Sequence, residues 1–184
     1  MKEAEINARL AKVLGYQAPD GRPLILALDA SSTNVGWCIA RGDHYINSDV
    51  FSPRARAKPW ERITQIVTWL DRTLKAYDVD YVAIEEPMGH HANLKTDRLL
   101  ARVCGNIEAV CTIRGIPSLF IHPKKVKATG YSKDNQREAA WLVGKETVTN
   151  DEADAIGIWQ ALLVQFREQG IMNIIAHDDA KNPS

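Results

Sequence analysis

Four acidic residues occupy positions from which they could act together as oxygen ligands. Asp29 and Glu85 each follow an apolar run of strand length. Asp151 and Asp154 open the last apolar segment, and on a helix this spacing places their Cβ atoms ~5–6 Å apart on one face. Oxygen-only ligands favour Mg²⁺ or Mn²⁺, and two such ions ~3.5–4 Å apart can bind both the attacking and the leaving oxygen of a phosphodiester. These residue types therefore suit metal-assisted hydrolysis.

Each of these acidic residues also has an ordinary structural explanation. Asp29 could cap a turn by bonding the backbone of Ser31 or Ser32, as Asp often does. Asn150 is a suitable N-cap, and acids in a first helical turn are stabilised by the helix dipole without any function. The argument for chemistry therefore depends on the coincidence of two strand ends and one helix start that all carry carboxylates.

The first half of the domain is predicted to form three antiparallel strands. Residues 24–28 suit a strand that is buried on both faces, and the small polar residues 30–34 suit a turn. Residues 35–40 form a second strand that returns beside the first. Residues 45–51 add a third strand, so that the three form a meander.

A crossover helix is expected to place the fourth strand beside the first. Apolar residues recur at helical spacing over residues 60–77, and residues 80–84 form another buried strand. A helical crossover permits this strand to run parallel to the first. Asp29 and Glu85 then lie at the same edge of the sheet, where open α/β sheets bind their ligands.

The second half of the chain is predicted to be mainly helical. We expect a long helix at residues 93–114 that ends at Gly115, and a short strand at residues 117–121. Residues 135–145 look helical, and the last helix begins near Asn150. The order β-β-β-α-β-α-β-α-α predicts an α/β fold with a mixed five-stranded sheet, strand order 3-2-1-4-5, and helices on both faces.

The chain is predicted to have one domain with short extensions. Residues 1–22 read as an N-terminal extension and linker, with an amphipathic helix at residues 3–14. Residues 23–170 form the domain, and residues 171–184 form a C-terminal tail.

Composition limits the classes of partner and compartment. The 23 basic and 23 acidic residues cancel, so a nucleic-acid partner would have to bind a local basic patch. The three cysteines form no CxxC pair, which favours neither a disulfide framework nor a zinc site. No apolar run approaches the ~18 residues that span a bilayer, and the N-terminus lacks the apolar core of a signal peptide. We therefore expect a cytoplasmic protein with no membrane partner.

Basic residues supply candidate nucleic-acid contacts. Residues 122–137 form the most basic window of the chain, with five cations against the single acid Asp134. Phosphate binding is the favoured interpretation, and a solvated face is the alternative. The cations are Lys124, Lys125, Lys127, Lys133 and Arg137.

We expect four tryptophans at helical spacing to lie in the core: Trp60, Trp69, Trp141 and Trp159. We assign no chemistry to His90, His91, His122 or the cysteines.

Taken together, these segments resemble a known nuclease family. The sequences LALDASSTNVGW, VAIEEP, PKKVKATG and DEADAIGI, spread over residues 24–166, are similar to those of the RuvC-type Holliday junction resolvases of the ribonuclease H-like superfamily. The N-terminal extension resembles that of phage-borne members. The extension itself and the neutral overall charge depart from the basic pattern of the family.

The resemblance implies a role for each matching residue. Asp29, Glu85, Asp151 and Asp154 would be catalytic and would bind two Mg²⁺ ions per active site, with Mn²⁺ able to substitute. Lys127 and Lys133 match lysines of the family. Met88 stands in the loop where family members probe the junction with an apolar or aromatic side chain. The neighbouring Glu86 leaves open which of the two glutamates is the ligand, since adjacent strand residues point to opposite faces.

The implied activity is the resolution of four-way DNA junctions. Two symmetric nicks need two active sites, which a C₂ homodimer supplies, and we expect the helix at residues 93–114 to form the interface. Packing on the sheet is the alternative explanation of its apolar stripe, which contains Leu99, Leu100, Val103, Ile107, Val110 and Cys111. Two rival functions remain: another ribonuclease H-like nuclease acting on RNA–DNA hybrids or flaps, and a non-catalytic module that binds branched DNA.

Overall fold

The computed structural model describes residues 22–88 and 94–169. Five strands form one mixed sheet in the order β3-β2-β1-β4-β5, as predicted. β1 pairs antiparallel with β2 and parallel with β4, and β5 is parallel to β4. The strands are β1 (Leu24–Ala30), β2 (Val35–Arg41), β3 (His44–Phe51), β4 (Tyr81–Glu85) and β5 (Ser118–Ile121).

Five α-helices cover the two faces of this sheet. One face packs against α1 and α2, and the other packs against α3, α4 and α5, so each face has its own apolar core. The helices are α1 (Pro59–Tyr77), α2 (Leu94–Arg114), α3 (Pro123–Ala128), α4 (Gln136–Leu142) and α5 (Asn150–Glu168). Such a three-layer arrangement buries strands on both sides, which explains the continuous apolar runs of β1 and β4.

Two helical predictions are corrected by the structure. The basic window contains the short helix α3, which begins with Pro123 after the N-cap His122 and was not predicted. The helix expected at residues 135–145 is a 3₁₀ turn, Lys133–Asn135, followed by α4, which ends at Leu142. Gly144, with φ of 68°, follows the helix end, where a left-handed residue is common.

The tryptophan prediction is wrong for two of its four residues. Trp159 is 1% exposed and belongs to the core, and Trp69 is half-buried and stacks on Phe51. Trp60 and Trp141 are 57% and 79% exposed, because each lies on the solvent side of its helix.

Some predictions fall outside the described residues. The helix at residues 3–14, the two histidines of the loop after β4 and the tail at residues 171–184 all lie there, and the domain boundaries stay predictions. Within the described ranges, no helix has the length and apolarity that crossing a membrane requires.

Candidate active site

Asp29 and Glu85 project from neighbouring strands toward the same face of the sheet. On β1, Ile25 and Ala27 belong to the core beneath α5, and on β4 Tyr81 and Ala83 do so. Side chains alternate between the two faces of a strand, so Asp29 points to the same face as Ile25 and Ala27. Glu85 likewise points to the same face as Tyr81 and Ala83. Leu28 is in register with Ile84, so the two carboxylates follow adjacent residues at one edge of the sheet.

The alternation also distinguishes Glu85 from its neighbour. Val82 and Ile84 belong to the core beneath α1 and α2, so Glu86 continues their row on the opposite face. Glu86 is exposed, and its backbone N–H donates to the carbonyl of Ile121. The geometry therefore favours Glu85 as the strand-four member of the site.

The start of α5 delivers the other two carboxylates. Thr149, not Asn150 as predicted, is the N-cap: its side chain accepts from the N–H of Glu152 at 3.2 Å. Asp151 and Asp154 follow in the first turns, and Asp154 is only 8% exposed. The helix dipole can stabilise acids in a first turn, as noted above. It does not explain why Asp154 is buried and lies close enough to Asp29 and Glu85 to affect their pKa values.

A glycine on β2 allows α5 to approach the sheet this closely. Gly36 pairs with Asp29 across the β1–β2 ladder. A Cβ atom at Gly36 would lie 1.9 Å from the backbone oxygen of Asp151, so any larger residue would collide with the helix start. Glycine is required here because the two backbones approach so closely, a role that no local sequence pattern indicates.

The four carboxylates interact electrostatically. Burial, and then the charges of Asp154, Glu85 and Asp151, raise the pKa of Asp29 to about 8. Burial and the charge of Asp154 also raise the pKa of Glu85. Crowded carboxylates of this kind resist ionising together unless a cation joins them. A bound cation would therefore relieve the repulsion among these carboxylates.

Lys133 lies among these carboxylates and partly balances them. Its backbone N–H donates to Asp154 Oδ1 at 2.9 Å, and its Nζ is 3.5 Å from Asp154 Oδ2. The charges of Asp154, Asp29 and Glu85 raise the pKa of Lys133 against the opposing effect of its burial. The predicted phosphate contact is thus a member of the carboxylate site itself.

A second close-packed glycine holds Lys133 in place. A Cβ atom at Gly157 would lie 1.9 Å from the carbonyl oxygen of Tyr131, two residues before Lys133 in the chain. Gly157 is three residues after Asp154, so both lie on one face of α5. The segment that carries Lys133 therefore rests directly on the helix that carries Asp154.

The other predicted DNA contacts are spread around the β5 side of the site. The charge of Lys127 partly opposes the rise in the pKa of Glu85, and its Nζ is 4.0 Å from Asp134. Lys125 donates to Gln165 at 3.2 Å, and Lys124 and Arg137 are exposed. Met88 is half-buried in the loop that follows β4.

A buried polar cluster that sequence reasoning missed anchors α5 to β3. Glu152 Oε1 accepts from Ser48 Oγ at 2.6 Å and from Lys145 Nζ at 2.5 Å. Lys145 also donates to the Ser48 carbonyl at 2.7 Å, and Tyr45 shares a hydrogen bond with Ser48. Glu152 lies between Asp151 and Asp154 in the sequence, so these bonds to β3 help to fix the position of the helix start that carries both acids. In the sequence, the only indication of a structural role for Glu152 is its capping-box spacing from Thr149.

The donor chemistry of the site fits a hard divalent cation. Its ligand atoms are carboxylate oxygens, and a cation would offset the repulsion that raises the Asp29 pKa. Within residues 22–88 and 94–169, no three acidic, histidine or cysteine side chains are grouped closely enough to hold a metal ion as they stand. The structure thus supplies the charges and the oxygen donors, with Lys133 paired to Asp154.

Replacing Asp29 by Asn should stabilise the protein at alkaline pH when EDTA is present. The native carboxyl keeps its proton up to pH about 8, whereas the unfolded one titrates near ~3.9. The unfolded state therefore releases its proton first, and wild-type stability falls as pH rises from ~4 to ~8. Asn mimics the protonated form, so we expect no gain at pH ~4 and a melting temperature higher by ~10 °C or more at pH ~8.5.

Thermal unfolding of both proteins across this pH range checks the prediction. Asp49→Asn, at an exposed carboxylate on β3, measures the background effect of removing one negative charge. Equal stability of wild type and Asp29→Asn at every pH would show that Asp29 is not crowded by other carboxylates.

Comparison with known proteins places the chain in a family. Residues 25–164 match the family model described as crossover junction endodeoxyribonuclease RuvC, which covers most of the chain. The chain belongs to the RuvC family. Family membership makes it a Holliday junction-resolving endonuclease, a hydrolase class that depends on divalent metal ions. Asp29, Glu85, Asp151 and Asp154 all lie inside the matched region.

Solved structures confirm the ribonuclease H-like fold. The match to Thermus thermophilus RuvC in complex with a Holliday junction substrate has a TM-score of 0.70 at 16% identity, over 81% of this chain and 97% of that chain. A second T. thermophilus RuvC structure gives 0.64 at 14% identity, over 80% and 97%. The yeast mitochondrial Holliday junction resolvase Ydc2 gives 0.54 at 15% identity, over 88% of each chain. No curated protein sequence matches the chain significantly.

Proposed function

We propose that Asp29, Glu85, Asp151 and Asp154 form the catalytic centre of this RuvC-family protein. They would bind two Mg²⁺ ions, with Mn²⁺ able to substitute, for the hydrolysis of one phosphodiester in a four-way DNA junction. The observation that carries the proposal is the convergence of four carboxylates, from two strands and one helix, at one edge of the sheet. Ions held by these carboxylates would supply an activated water and charge stabilisation for the leaving 3′ oxygen, so that the product strand would carry a 5′ phosphate.

The lysines beside the carboxylates are suited to hold the substrate strand. The backbone N–H of Lys133 is hydrogen-bonded to Asp154, which keeps this residue at the site. Its ammonium group could therefore leave the Asp154 carboxylate and bind a DNA phosphate without moving away. Lys127, beside Glu85, and the exposed Lys124, Lys125 and Arg137 extend this positive surface along α3 and α4. They would bind phosphates without reading sequence. Met88, at the start of the loop after β4, is the candidate junction-probing residue.

A homodimer would supply the two active sites that paired nicks require. The predicted interface stripe is not available for this role, because Val103, Ile107 and Cys111 are buried in the core of the same subunit. The apolar stripe of this helix is therefore explained by packing on the sheet of the same subunit, which was the alternative interpretation. The opposite side of α2 is exposed, with Ile113 at 83%, and it carries three small residues at helical spacing that allow close helix approach: Ala101, Gly105 and Ala109. We propose this side as the interface: Ala101, Gly105, Ala109, Thr112 and Ile113.

The test of the function is cleavage of a synthetic four-way junction beside linear duplex and RNA–DNA hybrid. We expect paired symmetric nicks in the junction with Mg²⁺ and none with EDTA. Mg²⁺ should also raise the melting temperature of wild type more than that of Asp29→Asn, which reports ion binding without activity. Preferential cleavage of the hybrid would favour another ribonuclease H-like nuclease. Binding without cleavage would favour a branched-DNA-binding module.

A cytoplasmic location remains a prediction.

Separate substitutions of the adjacent glutamates should have very different effects. Glu85→Gln should lower the rate of junction cleavage by about 10²-fold or more, because it removes a proposed ligand oxygen. Glu86→Gln, the matched control on the opposite face, should stay within a few-fold of wild type. Single-turnover cleavage with saturating protein measures both rates. A larger loss in the Glu86 variant would show that the register of β4 has been misassigned.

A further inference from the structure

An open groove lies between the loop after β3 and the first turns of α1. It has a volume of about 500 Å³ and is lined by Arg54, Arg56, Ala57, Trp60, Glu61, Thr64 and Gln65. Arg54 and Arg56 are exposed, as is the nearby Lys58. The indole of Trp60 is 57% exposed, which leaves a large aromatic surface in water. Arginine guanidinium groups beside an open aromatic face form a common arrangement for binding a nucleic-acid strand.

The loop that forms this groove is held in a defined shape. Arg62 donates to the carbonyls of Ala57 at 3.0 Å and Ala55 at 2.7 Å. The backbone N–H of Arg54 donates to Gln65 at 3.0 Å, and that of Lys58 donates to Glu61 at 2.6 Å. Glu61, the acidic residue of the lining, is thus engaged by the backbone. These hydrogen bonds order the backbone that carries Arg54 and Arg56. Binding a ligand there therefore loses little conformational entropy of the loop.

The groove opens at the same edge of the sheet as the carboxylates. Phe51, the last residue of β3, is in register with Val35, and the neighbouring Gly36 is in register with Asp29. Ser52 then donates to the side chain of Asn34 at 2.9 Å, in the turn that follows β1. Basic segments therefore begin at both ends of this edge: the loop at residues 52–58 beside β3, and α3 beside β5. The carboxylates lie between them.

We propose that this groove binds a second stretch of the DNA substrate, away from the scissile phosphate. Arg54 and Arg56 contact backbone phosphates, and Trp60 stacks on a base that is unpaired near the branch point. Stacking on Trp60 needs a base that is out of the duplex, so the groove distinguishes a branched or locally open substrate from a linear duplex. The proposal rests on the proposed junction nuclease function, to which it adds a binding site.

The test compares binding of a fluorescent four-way junction and a linear duplex in EDTA, by anisotropy at several salt concentrations. Arg54→Ala with Arg56→Ala should weaken junction binding by about 10-fold or more and lower the salt slope by about two. Trp60→Ala should weaken junction binding by about 10-fold and duplex binding by less, while Trp60→Phe keeps most of the affinity. Cleavage at subsaturating protein should fall in proportion to affinity.

Matched controls separate this site from general changes of charge or surface. Arg72→Ala removes an exposed cation farther along α1, and Tyr77→Ala removes an aromatic ring that is 40% exposed at the end of the same helix. Both should bind like wild type, and thermal unfolding should be unchanged in all variants because the substituted side chains are exposed. Wild-type junction affinity in both the Arg54/Arg56 and the Trp60 variants would overturn the inference and leave the nuclease function intact. Weakened binding in a protein that never cuts would support the groove and count against the nuclease.

Discussion

Replacing Asp154 by Asn should abolish junction cleavage while the protein still binds the junction. Asp154 is 8% exposed, faces Asp29 and Glu85, and shares Lys133 with them. Asn keeps the shape and can still accept the N–H of Lys133, but it lacks the negative charge that a divalent ion needs. We expect a loss of cleavage rate on the order of 10³-fold or more, because residues of one catalytic unit are not replaceable singly.

The measurement is single-turnover cleavage of a labelled junction, with affinity determined separately by anisotropy. Asp49→Asn is the matched control, since it removes the same charge from an exposed residue on β3. That variant should cut the junction like wild type. An Asp154→Asn protein that cuts within 10-fold of wild type would remove Asp154 from the catalytic set.

Replacing Gly36 by Ala should damage both stability and activity. The added Cβ would lie 1.9 Å from the Asp151 carbonyl oxygen and 2.3 Å from its carbon, far inside van der Waals contact. Both atoms are backbone, so relief requires a shift of β2 or of the start of α5 by about 1 Å or more. We expect a loss of about 2–4 kcal/mol in the free energy of unfolding. Displacement of Asp151 by this distance should cost about 10²-fold in cleavage rate.

Chemical denaturation and junction cleavage of the same preparation test this effect. Gly105→Ala on α2 is the matched control for folding of the subunit, since a methyl group there meets no atom of the chain within 4 Å. That change should leave the subunit as stable or make it more stable by about 0.5–1 kcal/mol, as expected for alanine in a helix. Wild-type stability and cleavage in Gly36→Ala would show that α5 does not rest on β2 as described.

Some residues of the site follow from local pattern alone. An apolar run that ends in a carboxylate fixes both a buried strand and the position of its acid, and this holds for Asp29 and Glu85. The helical crossover between β3 and β4 makes a parallel pairing with β1 the simple solution, so both acids were expected at one edge. The three-residue spacing of Asp151 and Asp154 likewise requires only helical geometry.

Other features of the site depend on contacts between segments far apart in sequence. Lys145 and Glu152 meet Ser48 of β3, and Gly36 receives the backbone of Asp151; no local pattern encodes such approaches. The exposure of Trp60 and Trp141 was likewise mispredicted, because helical spacing shows which residues share a face but not which face meets the core.

The sequence by itself determined the strand order, the two strand-end acids and the acidic start of the last helix, because periodicity and chain connectivity are local properties. Only the tertiary structure decided that Glu85 rather than Glu86 joins Asp29, that Lys133 lies among the carboxylates, and how deeply α5 enters the site. These depend on which face of each element is buried and on how closely two backbones can pack, and both are settled by the whole fold.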